Sequence, residues 1–219
     1  MRLLLANPNT NTAITDAMVA IARKAAPPGV SVEGATASFG EPLITDETAL
    51  AVAAEAVEAF VTVQRVARFD GVIIAAFGDP GLAALKSRLP IPATGLAEAG
   101  MGEGAAHGPF AVVTTTPDLA AAIRRTAQAY GHGGLFCGVW LTPGDPRALM
   151  ADRGRLVSEL EEACAEAVAA GARAIVIGGG PLVVAARALA TRLPVPIVEP
   201  IPAAVRLAAA RLQARPLTR

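Results

Sequence analysis

A chain of 219 residues in which nineteen basic and nineteen acidic side chains cancel has no electrostatic footprint for a nucleic acid, and no basic stripe interleaved with aromatics supplies one locally. Hydrophobic residues make up 53% of it, yet no uncharged apolar run approaches the ~20 residues that span a bilayer. The opening apolar stretch, Leu3 to Ala6, is too short for a signal-peptide core. These features predict a cytoplasmic protein with a small-molecule partner, no nucleic acid and no membrane.

The length fits one large domain or two of roughly 100 residues each, both able to bury a core. The two cysteines, Cys137 and Cys164, form no CxxC and no Cys/His cluster of zinc spacing. No metal, cofactor or disulfide framework is expected, and both cysteines read as small core residues. The alanine-rich, apolar composition leads us to expect a homo-oligomer.

In chain order, strand-like apolar runs alternate with longer stretches of helical periodicity. Strands are predicted at Arg2 to Ala6, Val30 to Thr36, Gly71 to Ala75, Ala93 to Gly95, Phe110 to Thr114, Leu135 to Leu141, Ala174 to Ile177 and Ile197 to Val198. Helices are predicted at Thr12 to Ala25, Glu47 to Ala67, Gly81 to Ser87, Pro117 to Tyr130, Arg153 to Ala170, Leu182 to Leu193 and Pro202 to Gln213. The pattern is that of an α/β protein built on parallel sheets with helices on their faces.

A repeat runs through this alternation. Gly-Val-Ile-Ile-Ala-Ala-Phe-Gly-Asp-Pro-Gly from Gly71 and Leu-Pro-Ile-Pro from Leu89 recur as Ala-Ile-Val-Ile-Gly-Gly-Gly-Pro from Ala174 and Leu-Pro-Val-Pro from Leu193. The first strands of the halves match as well, each placing polar residues just past an apolar run, at Asn7 and at Thr114. The repeat predicts two pseudo-symmetric Rossmann-like lobes with the active site in the cleft between them, because ligands of parallel sheets bind beyond the carboxyl ends of strands. The expected lobes are residues 1–104 with the last helix, 202–219, and residues 105–201, divided at the glycine-rich stretch Gly100 to Gly108.

Four turns follow strand ends with unusual residues. Asn7, Asn9 and Asn11 precede the first helix, whose cap requires only one of them, so Asn7 and Asn9 are candidates for ligand contact. Thr114, Thr115 and Thr116 precede Pro117; Thr116 suits an N-cap, which leaves Thr114 and Thr115 as candidates. Ala76-Phe77-Gly78-Asp79 and Gly178-Gly179-Gly180 are the paired turns of the repeat, where glycine lets backbone N–H groups approach a ligand.

With these residues in view, the sequence resembles the hydantoin and allantoin racemase branch of the aspartate/glutamate racemase superfamily. The likeness runs through Asn-Pro-Asn-Thr at Asn7, Ala-Thr-Ala-Ser-Phe-Gly at Ala35, Phe-Gly-Asp-Pro-Gly at Phe77, Val-Val-Thr-Thr at Val112 and Glu-Pro-Ile-Pro-Ala-Ala at Glu199. In that family each lobe carries a cysteine in the turn after the repeated strand; one thiolate removes a proton from one face of the substrate and the opposite thiol returns one. The aligned positions here are Ala76 and Gly179, and Cys137 and Cys164 align with neither. The resemblance further implies that Asn7, Phe77, Gly78, Thr114, Thr115, Gly179 and Gly180 bind a five-membered ureide ring or a small carboxylate.

For a group able to move a proton, Asp79, Glu47 and Glu199 are the first candidates, with Asp46, Glu98, His107 and His132 behind them. Asp79 can equally brace its turn, Asp46 and Glu47 can serve a helix start, and Glu199 can cap the last helix. Both histidines lie in glycine-rich loops and are expected to be exposed. Three functions remain open: cysteine-independent hydrolytic chemistry on a hydantoin-type ring, such as desulfuration of a thiohydantoin; a racemase or isomerase using non-thiol bases; and a ligand-binding protein without turnover. The first is the leading expectation, because it needs no thiol while the amide-rich turns remain to stabilise an oxyanion.

Overall fold

In a computed structural model, residues 1–179 and 182–214 are described. They divide into two compact units, one of Met1–Ile44, Thr48–Leu96 and the chain from Ile201 on, the other of Thr45–Glu47 and Ala97–Pro200.

The first unit opens with β1 (Arg2–Asn7), whose Leu3, Leu4, Leu5 and Ala6 are all buried. A continuous apolar run of this kind is what a strand covered on both faces requires. α1 (Thr12–Ala25) starts where the Asn11 carboxamide oxygen accepts from the N–H of Ile14 at 3.2 Å, and carries Arg23 and Lys24 in its last turn. β2 (Ser31–Thr36), β3 (Gly71–Ile74) and β4 (Ala93–Gly95) complete an all-parallel sheet in the order β2-β1-β3-β4. One face is covered by α2 (Glu47–Phe60) and α4 (Leu82–Arg88), where Leu4, Ala6, Val57, Val72, Ile74 and Leu85 share a core with Phe69.

The single helix predicted from Glu47 to Ala67 is two. After α2 the chain turns, and Thr62 caps a one-turn helix, α3 (Val63–Val66), by accepting from the N–H of Arg65. Threonine competes for backbone hydrogen bonds outside helices, and the apolar periodicity of the segment hides that break.

The second unit repeats the plan. β5 (Phe110–Thr114), β6 (Phe136–Leu141), β7 (Ala174–Ile177) and β8 (Ile197–Val198) form a parallel sheet in the order β6-β5-β7-β8. After a 3-10 turn at Pro117–Leu119, α6 (Ala120–Ala129) follows β5. α8 (Arg153–Ala169) and α9 (Val183–Leu189) cover the opposite side, with Leu156, Leu160, Cys164, Ile175, Ile177 and Leu189 at their core. The expected fold class is therefore present as two mainly parallel four-stranded sheets flanked by helices.

Two helices lie where none was specified. α7 (Pro146–Ala151) begins at Asp145, whose carboxylate accepts from the N–H groups of Arg147 and Ala148, with proline at the first helical position. α5 (Leu96–Ala106) runs through most of the glycine-rich stretch that was expected to divide the lobes. A Cβ on Gly100 would meet Val176 at 3.0 Å, and one on Gly104 would meet Val176 at 2.8 Å and Phe110 at 3.2 Å. The glycines flatten one face of a helix against its own unit, so the unit boundary falls between Leu96 and Ala97. The last helix, α10 (Pro200–Gln213), packs on the first sheet, where Arg211 donates to the carbonyl of Ala93 and the hydroxyl of Thr94.

The outer strands on the β1 and β5 sides differ in character. On β2, Glu33 is paired with Arg2 and Arg68. β6 carries no charge at all; instead its register with β5 shifts next to Gly138, which sits at φ +142°. No helix of the described residues is long and apolar enough to cross a membrane.

Candidate active site

The sheet registers fix which residues correspond between the units. The N–H of Ala75 donates to the carbonyl of Ala6, and the N–H of Gly178 donates to that of Val113. Likewise Ala37 donates to Asn7, and Thr142 donates to Thr114. Asn7 is thus the counterpart of Thr114, Ala75 of Gly178, Ala76 of Gly179, and Ala37 of Thr142. Each set lies at the carboxyl ends of neighbouring parallel strands of its own unit, where such sheets bind ligands.

At the end of β1, Asn7 is fully buried. Its amide nitrogen donates to Asn9 Oδ1 and Thr15 Oγ1 at 2.8 Å each, with the carbonyl of Asn11 at 3.3 Å, and its Oδ1 accepts from the N–H of Asn9 at 3.2 Å. Both protons of the amide are spent inside the loop. Asn9 Oδ1 also accepts from the N–H of Asn11, while Asn9 Nδ2 has no partner among the described residues.

The turn after β3 is tightly wound. Gly78, Asp79 and Gly81 have φ of +107°, +54° and +71°, and Asp79 is the one non-glycine residue of positive φ among the described residues. An L-residue in this region costs about 1–2 kcal/mol, less for Asp and Asn. The turn closes by donation from the N–H of Asp79 to the carbonyl of Ala76 at 3.2 Å. Between them, the N–H groups of Phe77 and Gly78 have no acceptor among the described residues. Two successive free N–H groups make a small concavity suited to a carbonyl oxygen or an anion.

In the second unit, Thr114 donates to the carbonyl of Gly178 at 2.8 Å. Its single proton is then used, so at the 3.0 Å contact with Thr116 it is the acceptor. Thr114 ties the ends of β5 and β7 together. Thr115 is only 4% exposed, and its hydroxyl has no partner among the described residues, yet it is not sealed from solvent as the hydroxyl of Thr142 is. Gly179 donates to the carbonyl of Ile177 and accepts from the N–H of Leu182. Gly180, also expected to bind, lies outside the described residues.

The acids expected to carry protons are otherwise engaged. Glu47 pairs with Arg125 at 2.6 Å and Glu199 with Arg187 at 3.1 Å. Asp79 is 7% exposed and directed at Gly95, so it stays beside the turn. His107 is exposed as expected; His132 is half-buried instead, edge-on to the ring of Phe110 at 5.8 Å.

The cysteines divide. Cys164 is fully buried, and burial with the nearby Glu161 charge pushes its thiol up to about 12. Cys137 is exposed on β6, the one position where the core reading fails, because an outer strand leaves alternate side chains uncovered; its thiol is also pushed up by partial desolvation. Neither is a ready thiolate at neutral pH. No group of three or more His, Cys, Asp or Glu able to hold a metal occurs among the described residues.

Sequence reasoning missed Thr142. It is buried next to Thr114 with a hydroxyl that has no partner among the described residues, and only the strand pairing reveals this. It also left Asn9 as an undifferentiated member of an asparagine-rich loop.

Comparison with known proteins agrees with the two-sheet fold. The Asp/Glu/Hydantoin racemase family matches residues 3–208. The chain is 29% identical to hydantoin racemase of Paenarthrobacter aurescens over 211 residues, 95% of this chain and 89% of that protein. Among solved structures, allantoin racemase from Klebsiella pneumoniae superposes with a TM-score of 0.91 at 31% identity, covering 97% of this chain and 88% of the other. Allantoin racemase from Pseudomonas fluorescens gives 0.88 at 25% identity, covering 100% and 98%.

Proposed function

This chain belongs to the Asp/Glu/Hydantoin racemase family, and from that premise we propose that it is an isomerase acting on a hydantoin-type cyclic ureide, exchanging the proton on the ring carbon next to a carbonyl. The observation that carries this reading is that each unit keeps unspent donors at its own strand ends, the Phe77 and Gly78 N–H groups in the first and the Thr115 hydroxyl in the second. A ureide ring presents carbonyl oxygens, and donors held ready for them stabilise the enolate that forms when the adjacent carbon loses its proton. Thr114 ties down the strand end that carries Thr115, while Asn7 closes its own loop after β1.

Hydrolysis or desulfuration of a thiohydantoin, the leading expectation from the sequence, draws no support from the relatives, which are racemases. Its proposed bases fare no better, since Glu47 and Glu199 are ion-paired and Asp79 is buried. The isomerase alternative fits the relatives. With alanine and glycine at positions 76 and 179, the proton passes to water or to another non-thiol base, and the protein contributes mainly by stabilising the enolate.

The test is to incubate enantiopure allantoin and other 5-substituted hydantoins with the protein in D2O and follow the ring proton by NMR beside a protein-free control. The reading expects the signal to fade faster than in the control without a new compound. It also expects an A76C/G179C variant to exchange about a hundredfold faster than the parent or more, the range that a positioned acid or base contributes. At Gly179 a Cβ would stand 3.1 Å from the Leu182 side chain, a tight contact that Leu182 must relieve by shifting a few tenths of an ångström. A new product of unchanged configuration would sink the isomerase reading, and binding without exchange in both proteins would leave a ligand-binding protein.

A further inference from the structure

Asp79 invites assignment as a proton carrier, because it is a carboxylate next to the turn where the family resemblance places a reacting thiol. Its surroundings give it another task. The residue is held at φ +54° between Gly78 at +107° and, past Pro80, Gly81 at +71°. The proline disfavours the ordinary helical conformation at position 79, and Asp, with Asn, is the side-chain-bearing type that tolerates the left-handed one.

What anchors it is Gly95. All three terminal atoms of the Asp79 carboxylate stand where a Cβ on Gly95 would be, so the two residues fit only because Gly95 has no side chain. Gly95 is the last residue of β4 and pairs in register with Ile74, the last residue of β3. The loop that leaves β3 therefore reaches back across its own sheet and seats its carboxylate on the neighbouring strand end. The segment between these two fixed points is Ala75 to Gly78, which includes the free N–H groups of Phe77 and Gly78.

We propose that Asp79 is a positioning residue: seated on Gly95, it locks the 76–81 turn in its left-handed form and so sets the direction of the Phe77 and Gly78 N–H groups toward the substrate carbonyl. The role rests on the isomerase reading only for the identity of the ligand; the geometry of the turn stands apart from it.

The experiment uses Asp79→Asn, Asp79→Ala, Gly95→Ala and the Asp79→Ala/Gly95→Ala pair in the full chain, with two readouts: the amide resonances of Phe77 and Gly78, and allantoin binding followed by NMR titration. Asparagine keeps the shape, the tolerance of positive φ and an acceptor oxygen, so it should leave affinity within about threefold and the two resonances near their original positions. Asp79→Ala and Gly95→Ala should each move both resonances and weaken binding about tenfold, and the pair should be no worse than the more damaging single change, because both remove one contact.

If Asp79→Asn is as damaging as Asp79→Ala while the resonances stay put, the charge acts on the ligand directly and the proposal is overturned. Additive losses in the pair overturn it as well. Should Asp79→Ala not fold, the asparagine and Gly95 variants still decide. Should the parent protein bind no hydantoin, the isomerase reading fails, while the resonances continue to report on the turn.

Discussion

Asn7 and Thr114 occupy one topological position in two copies of the same sheet, yet they handle their hydrogen bonds differently. Asn7 is the hub of a closed loop: its amide is consumed by Asn9, Asn11 and Thr15. Thr114 makes a cross-strand tie to Gly178 and accepts from Thr116, leaving its neighbour Thr115 with a hydroxyl to spare. The difference teaches that equivalent strand ends in a duplicated fold need not share a duty. In the first unit the polar side chains mainly build the loop, and the backbone of the next turn supplies free donors; in the second, a side chain supplies one.

The largest test of this contrast is Asn7→Ala. It strands the buried backbone N–H of Asn9 and removes the amide that links Asn9, Asn11 and Thr15, and should cost about 3 kcal/mol in urea unfolding. Thr114→Val removes one cross-strand tie and should cost about half as much, about 1.5 kcal/mol, leaving the carbonyl of Gly178 to find another donor. Equal losses would erase the distinction between hub and tie.

Thr142→Val runs the other way. Its hydroxyl is buried and unpartnered, whereas its counterpart in the first unit, Ala37, brings no polar group to that place. Replacing the hydroxyl by a methyl of similar shape should stabilise the protein by about 1 kcal/mol. A loss of stability would mean that the hydroxyl has a partner when the protein is hydrated. The smallest effect on stability belongs to Thr115→Val, within about 0.5 kcal/mol, and here the signal lies in the ligand: affinity for allantoin should fall roughly fivefold, about what one neutral hydrogen bond contributes. Unchanged affinity would remove Thr115 from the site.

Much of this was legible in the residues. The four-residue apolar runs at Val72 and Ile175 could only be covered strands, and their repetition with Leu-Pro-x-Pro correctly implied two sheets of one design. The polar residues at Asn7 and Thr114 marked strand ends because nothing else explains so many side chains that compete with the backbone. What stayed hidden depends on partners distant in sequence. Glycine is a poor helix former, so the stretch from Gly100 reads as a linker until Val176 and Phe110 are seen against it. The ion pairs that engage Glu47 and Glu199, and the half-burial of His132 against Phe110, are equally matters of tertiary geometry. Asp79 could be recognised as unusual from its setting between two glycines and a proline, but its seat on Gly95 could not.

The environment of Cys164 has a practical consequence. A thiol pushed up to about 12 inside a sealed core is silent toward electrophiles at neutral pH, which leaves Cys137 as the background for covalent chemistry. A Cys137→Ser version of the chain would therefore serve as a blank frame, in which one sulfur placed at position 76 or 179 could be alkylated, titrated or tethered to a fragment and its reactivity read without interference.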